Sequence, residues 1–299
     1  MLSNDESPLT DTEVHYLRSE HVGDEFKVLV GHCGSAPSAV LCMGDAWAGF
    51  GTAVETIRLM RLTEVVPPLL VVAVGYRSTD MAQIEELRSR DFTPSVDVEG
   101  GQMDSLLSGE PGRLPAEMRG ADRFLGFLRD ELKPWVHERF GVGLDDSMFF
   151  GDSLGGLFAT YVLLSEPPTF RRYGIGSPAL DHDRGAIFRQ EEEYAKAHTD
   201  LPAKVLFAVG EYENPAGDRR FLEQLPADRR AKLEAEWAAA GFTGEEDMVS
   251  DCERMVEALR SRQYPSLEIE CEVLPGEYHE TAPPLNLSRS IRYLFDAPR

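Results

Sequence analysis

The run "PLLVVAVGY" (Pro68–Tyr76) is aliphatic at every position from Leu69 to Val74. A strand with one solvated face alternates apolar and polar side chains; this one does not, so both of its faces must be covered. Strands of that kind belong to parallel sheets, whose neighbours are joined by helical crossovers. The flanking sequence agrees. "EFKVLVGHC" (Glu25–Cys33) and "SAVLCMGD" (Ser38–Asp45) read as two earlier strands. Between Asp45 and Pro68, "GFGTAVETIRLMRLTEVV" places apolar residues at helical spacing, which completes a strand–helix–strand unit.

The alternation continues to the C-terminus. "ADRFLGFLRDELKPWVHERF" is an amphipathic helix, "SMFFG" a short strand and "GGLFATYVLLSEP" a buried helix stopped by prolines. "YGIGSPAL", "AKVLFAVGEYENP" and "SLEIECEVLPGEYH" are later strands with their exit loops, and "LNLSRSIRYLF" is a closing helix. The fold class is α/β, with a mostly parallel central sheet and helices on both faces. A loop-rich, polar excursion occupies about 77–120 and a helical segment about 214–262. No repeat and no linker breaks the chain, so residues 1–299 read as a single domain.

Charge removes several classes of partner. The chain carries 52 acidic and 30 basic residues, a net of −22. A nucleic-acid or anionic-lipid binder needs a basic face, so neither nucleic acid nor a membrane surface is expected as partner. The N-terminus lacks a basic segment followed by an apolar run, and no stretch approaches the roughly 18 apolar residues of a membrane span. A cytoplasmic location is the expectation. The cysteines at 33, 42, 252 and 271 form no C-x-x-C pair, so no zinc site is expected and the thiols should be reduced.

Ser153 sits in G-x-S-x-G (Gly151–Gly155), between a buried strand and a helix. At that junction the serine occupies a strained turn above the sheet edge, and the first helical amides point at its oxygen. A serine needs a base, and the base an orienting acid; in this architecture they follow in the order Ser, acid, His. Three histidines follow Ser153. His198 lies in a polar helical tract and His182 in the "DHD" loop after the next strand. His279 lies between the last strand and the last helix, where the base is expected. The acid should follow "KVLFAVG". Glu213 has the right spacing after Gly210, while Glu211, Asp247 and Asp251 stay open as alternatives. The oxyanion donors are expected to be the backbone amides of Leu154 and Asp45, with Ala46 as alternative to the second. The Asp45 side chain should turn away.

With these pieces in place the chain resembles the putative-esterase branch of α/β hydrolases, which includes esterase D, enterobactin esterases and mycolyl transferases. The resemblance is carried by "VHYLRSEHVGDEFKVLV", "VVAVGYRS" with "RSRDFTPS", "ADRFLGFLRDELKPWVHERFGV", "GDSLGGLFATYVLL", "IGSPAL", "VLFAVGEYE" and "GEYHETAPPLNLSRSIRYLF". It implies the α/β-hydrolase fold, opening strands in the first of these segments, and cleavage of esters rather than amides with no cofactor. The substrate it implies is a small-molecule ester, such as a siderophore or another natural product. Two departures bear on the substrate: Asp152 replaces the usual elbow histidine, and Asp181 and His182 follow the S-P-x-L segment where aromatics are frequent. Trp47, Arg90 and His182 are the candidate substrate contacts. Arg77, Arg88, Arg119 and Arg123 also lie in or beside the excursion. An acyltransferase would use the same three groups, with an alcohol in place of water. A non-catalytic binding protein on this fold is the third reading, and the presence of Ser, His and acid together argues against it. Oligomeric state is not legible.

Overall fold

The computed structural model describes residues 9–95, 120–239 and 243–295. Eight strands form one sheet in the order β1-β2-β4-β3-β5-β6-β7-β8. They are β1 (Thr12–Arg18), β2 (Glu25–Cys33), β3 (Ala39–Met43), β4 (Leu69–Tyr76), β5 (Ser147–Asp152), β6 (Arg172–Gly176), β7 (Ala203–Gly210) and β8 (Leu267–Leu274). β1 and β2 run antiparallel to each other, and β2 runs antiparallel to β4. From β4 to β8 every pairing is parallel.

The aliphatic run forms β4, and alternate residues serve different cores. Leu70, Val72 and Val74 enter one buried cluster with Phe149, Phe158 and Phe207. Leu69, Val71 and Ala73 enter the other with Met43, Phe50 and Ile291. Helices α1 (Ala46–Arg61) and α10 (Pro283–Phe295) cover the second face. The first face is covered by α2 (Met81–Phe92), α3 (Ala121–Gly126), α4 (Lys133–Phe140), α5 (Leu154–Ser165), α6 (His182–Ala197) and α9 (Met248–Ser261). Two further helices, α7 (Pro215–Gln224) and α8 (Ala227–Ala239), lie in the 214–262 segment.

The chain reverses its direction of travel across the sheet at β3. β4 pairs on one side of it and β5 on the other. A crevice opens at the carboxyl ends of strands where such a switch occurs, and ligands of open α/β sheets bind there. Asp45 follows β3 and Ser153 follows β5, so the topology sets both at that switch point. This sheet, with its antiparallel second strand and helices on both faces, is that of the α/β hydrolases. Among the described residues no helix is long and apolar enough to cross a membrane.

Candidate active site

Ser153 adopts φ 58° and ψ −119°, a conformation that a side-chain-bearing residue takes only when its surroundings impose it. Close backbone packing does so here. A Cβ on Gly151 would lie 2.0 Å from the Gly155 carbonyl oxygen, and one on Gly156 would lie 2.6 Å from that of Gly176. The second glycine of the five-residue motif is less constrained: a Cβ on Gly155 would meet its nearest atom, Asp45 Oδ2, at 3.4 Å. The Ser153 N–H donates to the Gly176 carbonyl at 3.0 Å, which ties the turn to the neighbouring strand. Leu154 is the first residue of α5, so its amide belongs to the helix turn that has no internal acceptor.

Glu213 lies on the turn after β7 and is 5% exposed. Its Oε1 accepts from Ser177 Oγ at 2.6 Å and from the Gly210 N–H at 2.7 Å. Its Oε2 lies 2.6 Å from His279 Nδ1. His279 is half-buried on the loop between β8 and α10. Burial lowers its pKa, but the Glu213 hydrogen bond and charge, with Asp152 and Glu280, outweigh this and hold it above the ordinary value. Glu211 is turned elsewhere: its Oε2 accepts from the Gly276 N–H at 2.8 Å. Asp247 caps α9 through the Ser250 N–H at 2.9 Å, and Asp251 lies in the first turn of that helix.

Ser153 and His279 line one cavity of about 250 Å³ together with Gly44, Asp45, Trp47, Arg88 and Asp152. Trp47 is 52% exposed at this opening. Asp45 has φ 50° and precedes α1. Its carboxylate accepts from Arg88 Nε at 2.7 Å, and Arg88 Nη2 reaches the Asp152 carbonyl at 3.3 Å. Burial raises the Asp45 pKa against the opposing pull of Arg88. Asp152 Oδ1 accepts from Asn286 Nδ2 at 2.8 Å. Burial pushes its pKa up to about 6, opposed by that bond and by His279 and assisted by Glu213 and Asp45.

The other sequence candidates lie apart from this cavity. Arg90 pairs with the fully buried Asp91 at 2.7 Å and with Asp24 at 3.2 Å. Tyr76 Oη donates to the same Asp91 at 3.1 Å, so this Arg-Asp pair joins α2 to β4. Neither Arg90 nor His182 lines the cavity as formed by the described residues. His182 Nε2 lies 3.2 Å from the Ser95 carbonyl oxygen, and His198 stacks on Tyr194. Arg77 pairs with Glu25. Arg119 lies outside the described residues. Arg88 stands in the cavity; among five arginines in and around the excursion, nothing in its local sequence singled it out. Ser177 and Asn286 were not foreseen as site residues either: Ser177 opens the S-P-x-L segment, which was read only for the residues after it, and an asparagine in an amphipathic helix carries no motif.

The chain is similar to known esterases. The family described as Putative esterase matches residues 99–279. The ferri-bacillibactin esterase BesA of Bacillus subtilis is 29% identical over 213 residues, 68% of this chain and 71% of that one. A siderophore enterobactin esterase of Emericella nidulans is 28% identical over 274 residues, 87% of this chain and 83% of that one. Among solved structures, the siderophore hydrolase EstB from Aspergillus nidulans superposes with a TM-score of 0.76 at 20% identity, covering 99% of this chain and 100% of that one. With the family matched from within the excursion to His279, the chain belongs to the Putative esterase family and is an ester hydrolase of the α/β-hydrolase fold.

Proposed function

We propose that the chain hydrolyses the ester bonds of a siderophore, or a small natural-product ester built like one, through an acyl-enzyme on Ser153. The observation that carries this reading is the His279–Glu213 pair at 2.6 Å, beside the cavity that Ser153 also lines. With Nδ1 directed at Glu213, the proton-accepting atom of the neutral ring is Nε2. Ser153 Oγ attacks the ester carbonyl carbon while His279 Nε2 takes the hydroxyl proton. The carbonyl oxygen becomes an oxyanion against the amides of Leu154 and Asp45. The C–O bond to the alcohol then breaks, and the departing oxygen takes the proton from Nε2. Water repeats the sequence on the acyl-enzyme, releases the acid and restores Ser153. Glu213 fixes the tautomer and stabilises the imidazolium. The Asp45 carboxylate is taken up by Arg88 at 2.7 Å, so the part of Asp45 assigned to the oxyanion is its backbone amide.

The substrate class follows from the relatives' names, two of which are siderophore esterases. The cavity of about 250 Å³ is below the roughly 300–1,000 Å³ of pockets that enclose a whole drug-sized ligand, so it suits the ester and its nearest atoms. The test is hydrolysis of a siderophore ester, followed by product mass, for the wild type and S153A. The wild type should release the acid. S153A should stay folded and lose on the order of 10⁴–10⁶ in kcat. A folded S153A with near-normal turnover would overturn the reading.

A further inference from the structure

Three polar side chains to which ester hydrolysis assigns no task, Asp152, Ser177 and Asn286, join the elbow to Glu213. Asp152 ends β5, Ser177 follows β6 and Glu213 follows β7. Asn286, from the first turn of α10, connects them. Its Nδ2 donates to Asp152 Oδ1 at 2.8 Å and to Ser177 Oγ at 2.9 Å. Ser177 Oγ donates in turn to Glu213 Oε1 at 2.6 Å. Asn286 and Ser177 are both 0% exposed.

The direction of each bond is fixed. Asn286 Oδ1 finds no hydrogen-bond partner among the described residues. The amide orientation is set by what Nδ2 faces, a carboxylate oxygen and a hydroxyl oxygen that both accept. A flipped amide would set that oxygen against the Asp152 carboxylate. Because Ser177 Oγ receives the Asn286 N–H, its one proton goes to Glu213. Space for the arrangement exists because residue 176 has no side chain: a Cβ there would lie 2.2 Å from Asp152 Oδ1 and 3.0 Å from Asn286 Cβ.

We propose that Asn286 and Ser177 form a buried bridge from the nucleophile elbow to the Glu213–His279 pair, and that Asp152 is the positioning residue that sets, through its charge, the pH at which His279 accepts a proton. This rests on the reading of Ser153, His279 and Glu213 as the reacting groups. The groups facing Asp152 come from several elements: His279, Glu213, Asp45 and Asn286, with Arg88 on its backbone carbonyl. Those facing His279 are Glu213, Asp152 and Glu280, and from α7 Asp218, whose pKa burial also pushes up to about 6. Asp45 is paired with a cation, Arg88 at 2.7 Å, whereas the Asp152 carboxylate is held by the neutral Asn286 amide. Asp152 and His279 act on one another through charge, so a proton held by one bears on the proton held by the other. An ionised Asp152 favours the imidazolium and delays the appearance of the neutral base.

The experiment is the pH dependence of fluorophosphonate inactivation and of kcat/KM for a neutral p-nitrophenyl ester, in the wild type and D152N. Asn keeps the acceptor for Asn286 and removes the charge. The acid limb should move to lower pH by about half a pH unit or more. A purely structural role would lower the plateau and leave the limb in place, and that result in a folded D152N overturns the proposal. If D152N does not fold, the His279 ring followed by NMR in the wild-type protein decides. Two inflections that survive in D218N support the coupling; a single one, or a second that vanishes in D218N, overturns it. Wild-type protein that takes no label at Ser153 at any pH would remove the reading of the site and the bridge together. Labelling with an unmoved limb removes the bridge alone.

Discussion

Glu213 uses both carboxylate oxygens, one on Ser177 and the Gly210 amide and the other on His279. E213Q keeps the Oε1 contacts and turns an amide NH₂ toward Nδ1. The ring then carries its proton on Nε2, the wrong tautomer for a base, and kcat should fall by roughly 10⁴. E211Q should cost less than about tenfold, because Glu211 holds the loop backbone at Gly276 and not the ring. Steady-state kinetics on both variants checks the pair. The sequence placed two glutamates on one turn and two aspartates nearby; it could not say which faces the histidine, since that depends on how the turn after β7 closes against the Gly276–Glu277 backbone. Asp152 carries a stability prediction as well. Burial raises its folded pKa to about 6, above the unfolded carboxyl. The folded state therefore binds the extra proton, and this contribution to stability is present below the unfolded pKa and lost as pH rises through about 6. D152N should be more stable than wild type at pH 8 by about 1–3 kcal/mol, with the gap closing near pH 4. Thermal unfolding at the two pH values measures it.

The strand–turn–helix from β5 to α5 was legible because both of its elements are apolar throughout and the glycines mark the turn. Which glycines the turn requires was not. G151A drives a Cβ into the Gly155 carbonyl and should cost about 3 kcal/mol with loss of activity, whereas G155A meets only ordinary contact and should keep most of both. Unfolding curves and ester turnover for the two variants separate them. β1 shows the opposite limit. Its alternation is inverted: Val14 and Tyr16 are exposed, while Glu13 and His15 are part-buried. His15 packs on Trp135 and Phe140. Hydrophobic pattern alone does not reveal such a strand, and only the family resemblance pointed to it. Likewise "ADRFLGFLRDELKPWVHERF" reads as one helix, but Phe127–Leu132 is π-helical between α3 and α4. Pro134 supplies the reason: it has no N–H and its ring would strike the carbonyl four residues back, which the wider turn avoids.

Across the whole molecule, the order of strands and helices was readable because from β3 onward each β-strand is followed by a helix at a different hydrophobic period. The part of the excursion at 96–119 lies outside the described residues. Substrate identity was least legible, because no spacing rule encodes the shape of a cavity wall. The net charge of −22 still has a consequence for an anionic substrate. Like charges slow encounter, and salt screens them over a Debye length of about 10 Å at 0.1 M. kcat/KM for an anionic ferric siderophore ester should rise with ionic strength, while that for a neutral p-nitrophenyl ester should not; equal salt dependence would mean that the global charge does not act at the site. The most direct test of the central claim, that Ser153 is the nucleophile, is the site of fluorophosphonate attachment in the native protein, mapped by mass spectrometry of its peptides. One adduct per chain on the peptide holding Ser153, absent from S153A and strongly slowed in H279A, is the expected result. An adduct on another residue, or active protein that takes none, would contradict it.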